Sequence, residues 1–245
     1  MKMRQQFFIS ACLVIAAGCY KDSDFDPLAL EPDEVIVELR ASPDVLSANG
    51  SAISNITAVL PDGGQENLDM TFTTSAGLFV ENGTKVLTVK TKAVQYPEGI
   101  LVCANATLRN SNATGRITLN ASFGGYEVSK TLTSVENPAA AITVVVPSLV
   151  LSNNPASEME VITQLSAASG TVSQGQLVGM QVLDESLVPR GTFRLIQDRS
   201  DQEGKCKFVF SIAPDTLFTG PLSFRANTQI SSGTIEANRT IYITN

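Results

Sequence analysis

The chain has 245 residues, room for one or two domains of ordinary size. It contains no histidine, which excludes histidine-bearing zinc centres, Ser-His-Asp triads and Cys-His pairs. With 17 basic and 24 acidic residues the formal net charge is −7, a balance that repels nucleic acid.

The first segment, MKMRQQFFISACLVIAAGC, has Lys2 and Arg4 ahead of an apolar run from Phe7 to Ala17. That run is too short to cross about 30 Å of hydrocarbon as a helix and has the proportions of a signal peptide. It ends in Ala16-Ala17-Gly18-Cys19, which resembles the bacterial lipoprotein signal. The resemblance implies removal of residues 1–18 and acylation of Cys19, with the membrane reached through that lipid anchor. Several acyl chains hold firmly where one is marginal. Residues 19–33 then read as an acidic, Pro-containing tether. The start of that tether, Cys19-Tyr-Lys-Asp-Ser-Asp-Phe-Asp26, resembles the export signal of Bacteroidetes-type surface lipoproteins. It implies an outer-membrane protein facing the cell exterior.

Beyond the tether, short alternating segments bounded by Gly, Pro, Asn or Asp predict strands. In the first half they cover 35–41, 54–60, 70–74, 86–92, 100–108, 116–123 and 126–133. In the second half they cover 141–146, 159–165, 176–182, 192–197, 205–212, 222–228 and 234–243. Gly115-Arg-Ile-Thr-Leu-Asn-Ala-Ser-Phe123 is the clearest, with Ile117, Leu119, Ala121 and Phe123 on one face. About seven short strands per 100 residues is the arithmetic of a β-sandwich.

The halves echo one another. Leu46-Ser47 matches Leu151-Ser152, and Gly115-Arg-Ile-Thr-Leu-Asn-Ala121 matches Gly220-Pro-Leu-Ser-Phe-Arg-Ala226 at the same spacing. Cys103 and Cys206 fall close to that register. The pattern predicts two copies of one unit, over 34–136 and 137–245.

Val37-Glu-Leu-Arg-Ala-Ser-Pro43, Leu46-Ser-Ala-Asn-Gly-Ser51, Asn55-Ile-Thr-Ala-Val-Leu-Pro-Asp-Gly63 and Met70-Thr-Phe-Thr-Thr-Ser-Ala-Gly77 together resemble the bacterial Ig-like domain of the invasin/intimin type. The second unit departs from that pattern at its first turn, where Asn153-Asn-Pro155 stands. The resemblance implies an all-β chain of two tandem Ig-like Greek-key β-sandwiches after a lipoprotein signal and flexible tether.

The candidate chemistry is sparse. Cys103 and Cys206 read as two buried thiols, with the face of Cys103 undecided by periodicity. The acidic run from Asp22 to Glu38 lacks EF-hand spacing and reads as a solvated spacer, whereas Asp198, Asp201 and Glu203 lie in an expected loop with oxygens suited to calcium. Phe123-Gly-Gly-Tyr126 reads as a tight turn with packed rings, the other reading being an aromatic binding patch. The Asn-x-Ser/Thr triplets, from Asn49 to Asn238, fit strands and turns. Asp215-Thr216-Leu217 resembles the O-glycosylation triplet of Bacteroidetes-type exported proteins, with Thr216 as acceptor. No residue pattern marks a catalytic site, a cofactor or a metal.

The expected function is that of a surface-anchored, non-catalytic lipoprotein, structural or adhesive, with a protein or glycan ligand. The alternatives are a periplasm-facing envelope scaffold, an accessory subunit of a glycan-capture complex, or a polymer-acting hydrolase.

Overall fold

Alternation of small or apolar with polar residues builds this chain strand by strand. In Ile53–Val59, Ser54, Ile56 and Ala58 are sealed from solvent while Ile53 and Asn55 face out. The computed structural model describes residues 35–97 and 99–245. The signal segment, Cys19 and the acidic tether therefore lie outside the described residues.

Eighteen strands follow one another among the described residues. The first ten are β1 (Glu38–Ser42), β2 (Val45–Ser47), β3 (Ile53–Val59), β4 (Asp69–Thr74), β5 (Leu78–Phe79), β6 (Val86–Lys90), β7 (Lys92–Tyr96), β8 (Gly99–Arg109), β9 (Gly115–Phe123) and β10 (Tyr126–Val135). The rest are β11 (Ala141–Val145), β12 (Val150–Ser152), β13 (Glu158–Ser166), β14 (Gly179–Leu183), β15 (Thr192–Gln197), β16 (Lys205–Ser211), β17 (Gly220–Ile230) and β18 (Gly233–Thr244). They form four sheets. In the first half one sheet runs β1-β3-β8-β5, with β7 also on β8, and the other runs β2-β10-β9-β4-β6. In the second half the orders are β11-β13-β16-β15 and β12-β18-β17-β14. All-β sheet pairs of this kind are those of tandem Ig-like sandwiches.

Two separate apolar clusters fill the sandwiches. Ile56, Met70, Phe72, Phe79, Leu108 and Leu119 anchor the first. Val161, Phe208, Phe210, Phe224 and Ile241 anchor the second. In the second core Phe210 and Phe224 meet edge to face at 5.0 Å, and Phe193 tilts against both.

The repeat is visible in the pairing. Leu46 and Leu151 occupy the short parallel strands β2 and β12, each laid along the last strand of its own half. Gly115 and Gly220 each open the strand that pairs with that last strand. The cysteines depart from it. Thr57 of β3 faces Asn105, and its counterpart Ile162 of β13 faces Lys207. By this register Ala104, not Cys103, matches Cys206. The physical cause is parity: Ala104, Ala106 and Leu108 point into the first core, and Cys206, Phe208 and Phe210 into the second. Cys103 points the other way, buried on the outer side with its sulfur 3.7 Å from the Tyr96 hydroxyl. Both thiols are free and buried.

The segment expected as one strand over 86–92 is two. Thr91 is fully buried; its hydroxyl donates to the Gln65 carbonyl at 2.8 Å and accepts from the Leu68 N–H at 3.0 Å. There the chain leaves β4, the partner of β6, and joins β8, the partner of β7. The strand expected from Gln176 begins instead at Gly179. Gln176 is drawn inward, its amide accepting from Ala139 N–H at 3.1 Å and donating to the Asn137 carbonyl at 2.9 Å.

Candidate functional site: the loops at the far end of the second sandwich

Antiparallel pairing decides which loops gather. Leu183 of β14 faces Ser223 of β17, and Thr192 of β15 faces Ser211 of β16. The 184–191 and 212–219 loops therefore emerge at one end of the second sandwich. The loops after β13 and before β16 emerge at the other end, where they meet the first sandwich.

Asp184 is the centre of the far-end cluster. It is buried, and one carboxylate oxygen accepts from the N–H groups of Ser186 and Val188, both at 2.9 Å. The other accepts from Arg190 Nε at 2.9 Å. The Val188 N–H, foremost, together with Arg190 and Ser186, holds the Asp184 carboxyl below its ordinary value against the opposing effect of burial. The half-buried Arg190 guanidinium also lies 3.6 Å from the Asp215 carboxylate and 5.2 Å from the centre of the Phe218 ring. Asp215 in turn accepts from the Gly191 N–H at 2.7 Å. Gly191 has φ +65, and a Cβ there would collide with the Ser211 carbonyl and the Phe210 ring. The two loops are thereby joined by a charged, hydrogen-bonded clasp.

What the clasp presents is apolar. Leu217 is 97% exposed, Leu187 60% and Val188 43%. Beside Leu217 lies a shallow depression of about 390 Å³ lined by Arg190, Pro214, Asp215 and Phe218. Protruding apolar side chains on a fixed base, next to a cation, suit contact with another macromolecule.

Of the residues singled out in the sequence, Thr216 lies in this cluster. It is half-buried in the 212–219 loop, its N–H bonded to the Pro214 carbonyl at 2.8 Å. Asp184, Leu187, Arg190 and Phe218 carry no local signal and were not foreseen. The acidic loop is committed elsewhere: Asp201 accepts from the Glu203 and Lys205 N–H groups at 2.8 and 2.9 Å, and the Glu203 carboxylate pairs with Lys205. No group of three or more His, Cys, Asp or Glu suited to a metal ion occurs among the described residues. Phe123 and Tyr126 flank a two-glycine turn, both glycines at positive φ, and both rings pack on the first core. Asn49 accepts from Ser51 and Ala52 N–H groups, an Asx turn as its position suggests. Burial pushes the Cys206 thiol up to about 11, so it is no nucleophile at neutral pH.

No family model matches the chain, and no curated protein matches it. Solved structures do. Invasin, described as a bacterial integrin-binding protein, superposes with a TM-score of 0.59 at 17% identity, over 84% of this chain and 39% of that one. The Yersinia pseudotuberculosis adhesin InvE superposes with a TM-score of 0.51 at 18% identity, over 85% of this chain and 58% of that one. The chain thus spans less than two thirds of either. The likeness is one of fold, that of invasin-type adhesin modules. The protein is an all-β chain whose paired sheets share that fold.

Proposed function

We propose that the protein is a surface-anchored, non-catalytic adhesive lipoprotein that recognises a protein ligand through the far-end loops of its second sandwich. The observation that carries this reading is the exposure of Leu187, Val188 and Leu217 around the rigid Asp184–Arg190–Asp215 clasp. A side chain as exposed as Leu217 adds nothing to the core, whereas the base beneath it is fixed at several points. The invasin-like fold supports a protein ligand, since the relative of that name is described as integrin-binding.

In this reading residues 1–18 are removed, Cys19 carries the lipid and residues 19–33 are the tether. Two Greek-key Ig-like units, 34–136 and 137–245, follow. Anchoring at the amino end and recognition at the carboxyl end place function where the second sandwich is free of the first. Thr216, in the recognition loop, is the proposed O-glycosylation acceptor, and a glycan there would modulate contact at Leu217.

The test uses intact cells. Membrane lipid labelling should be lost in Cys19→Ala, and external protease should remove the protein while a periplasmic control stays protected. Cells bearing Leu217→Asp should attach to host-cell or neighbour-cell monolayers at least fivefold less than cells with equal surface amounts of the native chain. Protection from protease would overturn the surface placement, and unchanged attachment would overturn the recognition surface.

A further inference from the structure

A second cavity, at the junction of the two sandwiches, has a different chemistry. It holds about 540 Å³, well within the range of small-molecule sites. Ten of its lining residues come from the first sandwich, and Thr171 and Gln202 come from the second. On a chain of net charge −7, its lining includes two cations, Lys85 and Arg109, and no acid. Both cations border the 75–78 bend. Lys85 Nζ donates to the Ser75 carbonyl at 2.9 Å, and Arg109, the last residue of β8, faces Leu78 across the strand pair. Arg109 has no ion-pair or hydrogen-bond partner for its guanidinium among the described residues, which leaves the fork open to an oxyanion.

The acids on flanking segments are engaged: Glu81 accepts from the Thr107 N–H at 2.7 Å. Asp201 caps its own turn, and Glu203 pairs with Lys205. The remaining polar lining is neutral: Gln202 offers its side-chain amide, Thr171 keeps its hydroxyl lone pairs although it donates to the Asn49 carbonyl, Asn112 keeps its amide oxygen although it donates to the Gln202 carbonyl, and Ser111 adds a hydroxyl. Glycine and alanine residues leave the floor open, and Gly77 has no alternative, because a Cβ there would stand 2.5 Å from the Arg109 carbonyl. Two cations suit one carboxylate or phosphate group. Neutral hydroxyls and amides around them, in a space larger than a bare ion fills, suit the hydroxyls of a sugar.

We infer that this junction cavity binds an acidic saccharide, with Lys85 and Arg109 on its anionic group and Thr171 and Gln202 on its hydroxyls. The ligand touches both sandwiches, so its binding tightens the junction.

The test is calorimetric titration of the full chain with trigalacturonate, with glucose 6-phosphate and with uncharged maltotriose. Saturable binding of an anionic sugar, weakened at least fivefold in Arg109→Gln and Lys85→Gln and by raised salt, is the expected result. The first two arms separate a carboxylate source from a phosphate source. Bound ligand should also slow amide exchange at Thr171 and Gln202. Unfolding midpoints equal to that of the native chain establish that the variants are folded, and Lys85→Arg should retain binding. Absence of saturable binding to either anion, equal binding of maltotriose, or undiminished binding in both variants would overturn the inference. None of these outcomes bears on Leu217, which lies at the other end of the second sandwich.

Discussion

The Ser173 hydroxyl donates to the Ala48 carbonyl at 3.0 Å and accepts from the Asn137 N–H at 2.6 Å. One side chain thus joins a turn of the first sandwich to the segment between the sandwiches. Ser173 and Ala48 are both sealed from solvent. Around them Thr171 donates to the Asn49 carbonyl, and Asn112 donates to the Gln202 carbonyl. The junction is therefore a set of directional polar bonds, and its stiffness depends on their being complete.

Ser173→Ala leaves the sealed Ala48 carbonyl and the half-buried Asn137 N–H without their partner. The cost is expected at about 1–3 kcal/mol, because a buried unpaired group forfeits its desolvation energy. Denaturant unfolding gives the loss. Faster amide exchange at Asn137, with exchange in β9 unchanged, locates it at the junction. A variant of native stability would show that the hydroxyl is dispensable there.

Glycines at positive φ are not equal in this chain. Gly63 has φ +80 with nothing within 4 Å of the place a Cβ would take, whereas at Gly191 the Phe210 ring stands 2.6 Å from that place. Gly63→Ala should cost about 1 kcal/mol, the backbone strain alone. Gly191→Ala adds a steric conflict with the second core and should cost about 3 kcal/mol or more. Parallel urea titrations of the two variants decide it; equal losses would mean that the 184–191 loop yields freely and that the clasp is not rigid.

Cys206 makes stability depend on alkaline pH. Its thiol is raised from 9.0 to about 11 by burial, so the unfolded chain ionises first. The contribution is intact below pH 9 and is lost as pH rises through the interval to about 11. Across that interval the loss amounts to about 2–3 kcal/mol. Cys206→Ala, although less stable at pH 7 because it leaves a cavity, should show a shallower decline between pH 8 and pH 11. Parallel declines for the two proteins would refute the assignment to Cys206.

The periodicity that made β3, β9, β13 and β17 legible is a local signal, written by each residue's own exposure. Face assignment failed where one strand is covered on both sides. β8 buries Ala104, Ala106 and Leu108 inward, yet Tyr96 of β7 also covers Cys103 from outside. Thr91 was equally opaque, since alternation runs on through the point where the chain changes sheets. The far-end clasp is non-local: Gly191 and Asp215 stand 24 residues apart and meet only because β15 and β16 pair. Asp215-Thr216-Leu217 drew notice as a modification triplet, whereas the structure shows its first residue engaged with Gly191 and Arg190.

Asp184 gives the clasp its own dependence on acid. The folded carboxyl sits below its ordinary value, chiefly through the Val188 N–H and also through Arg190 and Ser186. The stabilisation is therefore present above the unfolded value of 3.8 and is lost as pH falls through the lower, folded one. Asp184→Asn keeps the shape and one acceptor oxygen but removes the charge that faces Arg190. Its unfolding midpoint at pH 7 should lie well below that of the native chain, and the gap should narrow as pH falls below 3.8 and the native carboxyl itself becomes neutral. The same variant should be cut faster by protease within the 184–191 loop, because Ser186 and Val188 are held by that carboxylate. A gap that stays constant from pH 7 to pH 2.5 would mean that the hydrogen-bond geometry, and not the charge, holds the clasp.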